Sequence, residues 1–305
     1  MEREQLICAI QTLKKEKDAI ILAHYYTDGE IQELADYVGD SYYLSKIAKE
    51  VPQQLIVFCG VLFMGESAKI LSPHKTILMP EINADCPMAH MVTPAQIEYM
   101  KEKHKDLAVV CYINSTTEIK ALSDVCVTSS NALKIVRNIK ASKIFFIPDE
   151  NLGRYIAAQV PEKEFLFKKG YCPVHKSMTK EALLKEKAKY PHAQILVHPE
   201  CTPDVVELGD YVGSTSGIIE YATKSPHDTY IVCTEVGIEY PLKMANPNKA
   251  FHFVGDMRVC KNMKSITLEK LYEALRDEKY EITLEEKLMK KAENALIQMH
   301  KLAEN

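Results

Sequence analysis

The fold is decided by the stretch CPMAHMVTPAQIEYMKEKHKDLAVVCYIN, residues 86–114, in which a cysteine, a helical pattern and an apolar strand pattern follow in order. Cys172 and Cys260 begin two further stretches of this kind, and successive cysteines are 86 and 88 residues apart. A repeat of this length predicts three copies of one structural unit. Seven residues after each cysteine a threonine, which favours a helix start, opens the segments TPAQIEYMKEKH (93–104), TKEALLKEKAKY (179–190) and TLEKLYEALRD (267–277).

Apolar strand patterns occur at matching places in all three copies. Uniformly apolar strands that alternate with helices are typical of parallel βαβ units, in which helices cover both faces of the sheet. The sequence therefore predicts an α/β protein with three homologous αβα domains and short parallel sheets. The predicted strands are AIILAHYY (19–26), LIVFCG (55–60), TILMP (76–80), AVVCYIN (108–114), KIFFIP (143–148), EFLF (164–167), QILVHPE (194–200), TYIVCT (229–234) and AFHF (250–253).

The domain boundaries are expected to fall at the cysteines. Residues 86–171 would form the second domain and residues 172–260 the third. Residues 1–85 would form the first domain, completed by the C-terminal tail, residues 261–305, because this copy otherwise lacks its leading elements. Three equivalent domains joined end to end can close into a ring, so we expect equivalent positions to meet around a pseudo-threefold axis.

The composition narrows the possible functions. The chain has 305 residues, of which 47% are hydrophobic and 26% charged, as in an average globular protein. Its formal charge of −4 gives no reason to expect a nucleic-acid partner. Because the N-terminus lacks a secretory pattern and no apolar run approaches the ~20 residues of a membrane-spanning helix, we expect a cytoplasmic protein without membrane contact. Dinucleotide-binding, Walker A and HExxH motifs are absent from the sequence.

The nine cysteines do not suggest disulfides. Their number is odd, and no CxxC pair occurs, which argues against a disulfide framework, a zinc ribbon or a thioredoxin-type motif. Most are expected to be small buried apolar side chains, while Cys201, which follows Glu200 in a loop, is left open. The cysteines expected to be buried are Cys8, Cys59, Cys111, Cys126 and Cys233.

The three repeated cysteines, Cys86, Cys172 and Cys260, are predicted to be metal ligands because they stand outside the apolar runs and would converge at the axis. Three thiolates leave one position open on a zinc ion, or one iron free on a cubane iron–sulfur cluster. The residues alone do not exclude zinc, but cysteines so dispersed, without a CxxC pair, favour the cluster.

Polar side chains end the first long strand of each copy. Since ligands of parallel α/β sheets bind beyond the carboxyl ends of the strands, these groups are predicted to form one pooled site. Hydroxyl groups also precede helical segments, where free backbone amides suit phosphate or carboxylate, although helix capping alone would explain them equally well. The strand-end residues are His24, Tyr26, Tyr112, Asn114, His198 and Glu200, and the hydroxyl residues are Ser41, Ser129, Ser214 and Thr215.

The sequence resembles the quinolinate synthase family, the iron–sulfur enzymes of de novo NAD biosynthesis. The similarity runs through nearly the whole chain, with departures from the usual family pattern at Tyr25 and Leu62. The matching stretches are IILAHYY (20–26), ADYVGDSYYLSKIA (35–48), CPMA (86–89), YINST (112–116), TSSNA (128–132), PDENLG (148–153), YCPVHK (171–176), HPEC (198–201), GSTSG (213–217), CTEVG (233–237) and CKNMK (260–264).

The resemblance implies a function as well as a fold. It implies three αβα domains around a 4Fe–4S cluster held by Cys86, Cys172 and Cys260, with one iron open as a Lewis acid. It implies condensation of iminoaspartate with dihydroxyacetone phosphate to quinolinate, phosphate and water, with L-aspartate oxidase as a transient partner. It also implies that the catalytic residues are Tyr26, Tyr112, Asn114, His198 and Glu200, and that the substrate-binding residues are His24, Ser41, Tyr112, Asn114, Ser129, His198, Glu200, Ser214 and Thr215.

Two other functions are compatible with three convergent thiolates. An iron–sulfur sensor would use the cluster as a redox switch, but it needs a partner surface or a DNA-binding element, and the chain has no basic recognition helix. A zinc hydrolase would hold its metal with the same cysteines. Metal analysis would separate zinc from iron, and a product assay would separate an enzyme from a sensor.

Overall fold

A computed structural model describes residues 2–255 and 258–304 and contains three four-stranded sheets. All three have the same strand order, with the second strand at one edge, followed by the first, third and fourth. This architecture confirms the predicted α/β class with short parallel sheets. The strands are β1 (Ala19–His24), β2 (Tyr37–Gly39), β3 (Leu55–Cys59) and β4 (Thr76–Leu78); β5 (Leu107–Tyr112), β6 (Val125–Val127), β7 (Lys143–Ile147) and β8 (Glu164–Phe167); and β9 (Gln194–Val197), β10 (Tyr211–Val212), β11 (Thr229–Cys233) and β12 (Ala250–Phe253).

The registers show how closely the first and third sheets agree. Ile21 of β1 pairs with Val57 of β3, and Ile231 of β11 pairs with Ile195 of β9, in parallel in both cases. Every residue of β1 is buried, as expected for a strand with helices over both faces. The predicted strands therefore form three strands of each sheet, namely the two central strands and the edge strand β4, β8 or β12, and the short strands β2, β6 and β10 at the opposite edge are additional elements.

Helices connect the strands and flank the sheets. The longest, Glu286–Glu304, carries charged residues along its length, and within the described ranges no helix is both long and apolar enough to cross a membrane. The helices are α1 (Arg3–Glu16), α2 (Gly29–Leu34), α3 (Ser41–Glu50), α4 (Leu62–Leu71), α5 (Pro94–Lys103), α6 (Thr117–Ala121), α7 (Ala132–Asn138), α8 (Glu150–Ala157), α9 (Pro173–Lys176), α10 (Lys180–Lys189), α11 (Pro203–Val206), α12 (Thr215–Lys224), α13 (Glu239–Ala245), α14 (Lys261–Lys264), α15 (Leu268–Asp277) and α16 (Glu286–Glu304), with 3₁₀ turns at Pro87–His90 and Val236–Ile238.

The three predicted threonine caps all begin helices of ten residues, namely α5, α10 and α15. The hydroxyls of Thr179 and Thr267 accept hydrogen bonds from backbone amides in the first turn, at 3.2 and 3.4 Å. Thr93 forms a capping box with Gln96. Each cap satisfies amides that the helix leaves unpaired, so the helix starts follow from the local sequence.

The described chain forms two compact units. One consists of residues 1–90, 113–126 and 261–305, and the other of residues 91–112 and 127–260. In the first unit, Leu6 and Ile10 of α1 share a core with Leu271 and Leu275 of α15 and with Ile21 of β1. The tail thus belongs to the core around the first sheet, while the domain boundaries at the cysteines and the pseudo-threefold arrangement remain predictions.

The cysteines outside the repeated positions are buried with one exception. Cys59, Cys111, Cys126 and Cys233 are buried as predicted, and so is Cys201. Burial raises the pKa of the Cys233 thiol to about 12, which keeps it protonated at neutral pH.

The expectation that Cys8 is buried is wrong, since this thiol is exposed. On α1 the residues that face the core are Leu6 and Ile10, one helical turn apart. A residue midway between them points away from the core, because side chains two positions apart lie on different faces of a helix.

Truncation of Ile10 to alanine is expected to lower the free energy of unfolding by about 2–5 kcal/mol. The reason is that this side chain of α1 is fully buried in the core that α1 shares with α15. Urea denaturation followed by circular dichroism measures the change. Cys8→Ala on the same helix is the matched control and should shift the free energy by less than about 0.5 kcal/mol. Equal effects of the two substitutions would contradict the packing described for α1.

The imidazole of His300 on α16 is a buried titratable group in the first unit. Its ring stacks on Tyr42 at 5.3 Å, and Nε2 lies 3.3 Å from the hydroxyl of Ser45. Burial is the main cause that lowers the pKa of His300 below its ordinary value of 6.5; the charged neighbours that also act on it are Lys49, Glu304, Lys46 and Glu50. The folded protein therefore prefers the neutral ring.

Acidification should destabilise the first unit through His300. The contribution of the neutral ring is fully present above pH 6.5 and is lost as the pH falls toward the lowered pKa of the folded state. We expect the urea midpoint to fall between pH 7.5 and pH 5, and His300→Gln to reduce that fall. The exposed His192 provides the control, since His192→Gln should leave the pH dependence unchanged.

Candidate active site

The three repeated cysteines occupy equivalent local positions. In each copy, the backbone N–H three residues past the third strand of the sheet donates to the carbonyl two residues before the cysteine. Each cysteine is half-buried and directly precedes a short helical turn. The cysteines therefore stand at the same point relative to their own sheets. The three hydrogen bonds are Leu62 to Ala84 at 2.7 Å, Glu150 to Gly170 at 2.9 Å and Val236 to Arg258 at 3.0 Å.

Glu200 is the centre of a buried hydrogen-bonded network in the second unit. It follows β9 by three residues, and only 4% of its surface is exposed. The hydroxyl of Tyr112, the last residue of β5, donates to Oε1, and Nδ1 of His175 lies 2.8 Å from Oε2. Asn151 fixes the same loop through a 3.0 Å hydrogen bond to the Glu200 carbonyl. Two strand ends and α9 together hold one carboxylate.

His175 connects Glu200 to a hydroxyl group. Its Nε2 lies 2.9 Å from Oγ1 of Thr234, which directly follows β11. The side chain of His175 is only 1% exposed, so water does not compete for these contacts. The carboxylate, imidazole and hydroxyl groups form a chain along which a proton can be passed.

His198 is held in one tautomer by the backbone. The Glu200 N–H donates to Nδ1 of His198 at 3.3 Å, so the ring proton of the neutral imidazole lies on Nε2. That Nε2 lies 3.2 Å from the Ser129 hydroxyl, and the ring stacks on His175 at 4.6 Å. His198 is therefore oriented as a hydrogen-bond donor at the end of β9.

The charge of Glu200 is set by its neighbours. Burial by itself would raise its pKa, but the adjacent His175, His198 and Tyr112 outweigh burial and lower the pKa below the ordinary value of 4.5. Glu200 is thus an ionised carboxylate at neutral pH, held by donors on both oxygens.

Asp149, two residues past β7, is a second buried acid in this region. Burial and the negative charge of Glu200 raise its pKa well above the ordinary value, while the amides of Leu152, Asn151 and Cys172 act in the opposite direction. The Leu152 amide donates to Oδ1 at 2.8 Å, which caps α8. Of the two neighbouring carboxyl groups, Glu200 carries the charge.

The donors near Cys172 are compatible with metal binding. Cys172, His175 and Glu200 each offer one ligand atom, and these atoms lie within 4.8 Å of one another. The two His175 nitrogens contact Glu200 and Thr234, and the two Glu200 oxygens contact His175 and Tyr112. These contacts suit a network that transfers protons. The Cys172 sulfur adds a soft donor of the kind that holds iron–sulfur clusters, so the residues present fit such a group.

Four other predicted residues belong to the first unit, namely His24, Tyr26, Ser41 and Asn114. In the first unit, His24 ends β1 and accepts the Tyr26 N–H on Nδ1 at 3.1 Å, which repeats the arrangement of His198 and Glu200. Asn114 follows β5 and is half-buried. Ser41 is the first residue of α3, but Asp40 provides the cap, through the Tyr43 amide.

The predicted hydroxyl groups of the second unit differ in their surroundings. Ser214 caps α12 through the Gly217 amide at 3.2 Å, and Thr215 is the first residue of that helix. Ser129 precedes α7 but faces His198 rather than the helix amides. The contacts thus group Tyr112, Ser129, Cys172, His198 and Glu200, and they leave Ser214 and Thr215 at a separate helix start.

Three residues of the site, His175, Thr234 and Asp149, were not predicted from the sequence. A signal for His175 was present, because a histidine three residues after Cys172 lies on the same side of a helical turn as the cysteine. Thr234 is the last residue of one predicted strand and Asp149 directly follows another, but nothing in the residues distinguishes them from ordinary residues at a strand end.

Comparison with known proteins gives a consistent result. A family model described as quinolinate synthetase A protein matches residues 8–301. The quinolinate synthase of Clostridioides difficile is 54% identical over 301 residues, covering 99% of both chains. That of Caldicellulosiruptor saccharolyticus is 51% identical over 303 residues, covering 99% of this chain and all of the relative. That of Fusobacterium nucleatum is 51% identical over 295 residues, covering 97% of each.

Proposed function

The chain belongs to the quinolinate synthetase A family, and on this premise we propose that it condenses iminoaspartate with dihydroxyacetone phosphate to form quinolinate, phosphate and water. The observation that carries the proposal is the buried, ionised Glu200, held between Tyr112 and His175 at the carboxyl ends of two strands. A dehydrating condensation needs repeated proton transfers, and a carboxylate within reach of a phenol and an imidazole can perform them.

The proposed cofactor is a 4Fe–4S cluster held by Cys86, Cys172 and Cys260. Support comes from the equivalent local positions of the three cysteines, each of which is half-buried and directly precedes a short helical turn. When bound through three thiolates, such a cluster supplies one iron with an open position that acts as a Lewis acid.

Proton transfer is assigned to Glu200 as general base and to Tyr26 as general acid. His175, which is itself in contact with Thr234, keeps the Glu200 carboxylate oriented and ionised, so the carboxylate can accept a proton without first losing one. A catalytic base or acid in this position contributes about 10²–10⁴-fold to the rate.

Substrate binding is assigned to the polar groups around these residues. Tyr112 and Asn114 would hold carboxylates, and His198 would donate from Nε2 to a carboxylate or phosphate oxygen. His24 would act in the same way in the first unit. The hydroxyls of Ser41, Ser129, Ser214 and Thr215 complete the set, with free amides nearby at the starts of α3 and α12.

The partners follow from the substrates. Both substrates are small molecules, and an L-aspartate oxidase would supply iminoaspartate through transient contact.

Anaerobic purification followed by metal and product analysis tests the proposal. We expect about four iron and four sulfide per chain, and formation of quinolinate from the two substrates. Zinc without sulfide would favour the hydrolase, and a cluster-containing protein that forms no quinolinate would favour the sensor. Either result would overturn the proposed function.

A further inference from the structure

Glu235 is a fully buried carboxylate that lies outside the proton-transfer network. It follows β11 by two residues, immediately after Thr234. Its Oε1 accepts the backbone N–H of Cys260 at 3.0 Å, and its Oε2 accepts the N–H of Gly237 at 2.6 Å. Both carboxylate oxygens therefore serve as acceptors for backbone amides, and one of those amides belongs to a repeated cysteine.

The segment around Glu235 contacts the cysteine segment at a second point. The Val236 N–H donates to the Arg258 carbonyl at 3.0 Å, two residues before Cys260. The backbone hydrogen bond fixes the path of the chain at Arg258, and the carboxylate fixes the amide of Cys260 itself. Together the two contacts fix the backbone on the N-terminal side of Cys260 and at Cys260 itself.

In the other two copies, a different residue faces the backbone amide of the cysteine. Asp149 occupies the position of Glu235 in the second copy, is also fully buried, and faces the amide of Cys172. Val61 occupies that position in the first copy, where the Cys86 N–H is accepted at 2.7 Å by the neighbouring Asp85. In each copy, an acidic side chain faces the amide of the cysteine, although the first copy takes it from another position in the sequence and the raised pKa of Asp149 favours its protonated form in the second copy.

A carboxylate is the suitable group for this position. Its two oxygens can each accept one of the two amide hydrogen bonds. A glutamine in its place would offer only one acceptor and would turn an NH₂ group toward one of the two amides. Because the site is fully buried, water cannot replace the lost partner, and the cysteine segment would shift instead.

We propose that Glu235 is a positioning residue that orients Cys260 for cluster binding, an inference that rests on the proposed function. Groups of this kind act through a ligand rather than on the metal, and their loss typically weakens metal affinity by ~10–100-fold.

Glu235→Gln tests the proposal in anaerobically purified, cluster-loaded protein. We expect iron loss to the chelator EDTA to become about 10–100-fold faster than in the unmodified protein, and the EPR spectrum of the reduced cluster to change. Glu239→Gln is the matched control, since Glu239 is a half-exposed carboxylate four residues further on that pairs with Lys243. The control should retain the unmodified rate and spectrum.

The outcomes separate the inference from the proposed function. Absence of iron and sulfide from the unmodified protein would overturn both. A normal cluster there, with equal chelation rates and spectra in the Glu235→Gln and Glu239→Gln variants, would overturn the inference alone. Should Glu235→Gln not fold, Glu235→Asp is measured in the same way, because its side chain is one methylene shorter and draws the carboxyl group away from the amides of Gly237 and Cys260. An unchanged rate and spectrum in that variant would likewise overturn the inference.

Discussion

Replacement of Cys172 by alanine is expected to give a soluble, colourless protein without quinolinate synthesis. The loop should survive, because the Glu150 to Gly170 hydrogen bond and the helical turn of α9 position it without using the thiol. Loss of this proposed cluster ligand would remove the proposed Lewis acid, whose contribution of several kcal/mol corresponds to roughly 10³-fold or more in rate. Visible absorption, iron and sulfide content and an anaerobic quinolinate assay measure the result.

The control for this experiment is Cys8→Ala. The Cys8 thiol is exposed on α1 and outside the repeated positions, so this variant should keep both colour and turnover. A brown, active Cys172→Ala protein would show that Cys172 is not a ligand.

Glu200→Gln is expected to keep the cluster and to lose turnover by about 10²–10⁴-fold, the usual contribution of a general base. Glutamine has nearly the same shape, but it carries no charge and cannot take up a proton at neutral pH. The lowered pKa of Glu200 means that the native group is ionised, so the substitution removes the form that accepts the proton. Single-turnover kinetics and iron content, measured on one preparation, separate loss of chemistry from loss of cofactor.

Glu207→Gln serves as the matched control, since Glu207 is an exposed carboxylate just after α11 in the same segment of the chain. It should leave both turnover and cluster content unchanged. Near-normal turnover of Glu200→Gln would remove Glu200 from the proton-transfer role.

Helix starts and long strands could be predicted because their signals are local. Thr179 and Thr267 mark α10 and α15 through a hydroxyl that reaches an amide three residues away. The apolar runs mark β1 and β11, since a strand covered on both faces needs no polar residue.

The edge strands β2 and β10 were not predicted, because a strand of two or three residues is too short to show a repeating pattern of apolar side chains. Asp36 directly precedes β2 and Asp210 directly precedes β10, and each of these aspartates binds the neighbouring strand, β1 or β9. The carboxylate of Asp36 accepts the Ile21 amide at 2.8 Å, and that of Asp210 accepts the Ile195 amide at 2.8 Å. The fixed spacing of these aspartates was visible in the sequence, but their partners were not.

Residues of the candidate site could be predicted only where a polar side chain follows an apolar strand pattern. Tyr112 and Glu200 each close an apolar run, and the fold brings them into contact although 88 residues separate them. His175 and Thr234 meet across 59 residues, and only the packed structure shows that His175 links the Thr234 hydroxyl to the Glu200 carboxylate. Which side chains are buried together depends on the folded structure, so such contacts cannot be read from the order of residues in the sequence.

The shared core of α1 and α15 has a consequence for synthesis of the chain on the ribosome. Ile10 emerges early, but its partners Leu271 and Leu275 follow about 260 residues later, a delay on the order of tens of seconds at ~5–20 residues per second. The core around the first sheet is therefore begun first and completed last. During that interval the apolar side chains of this core lack their final cover, and exposed apolar surface of this kind favours aggregation.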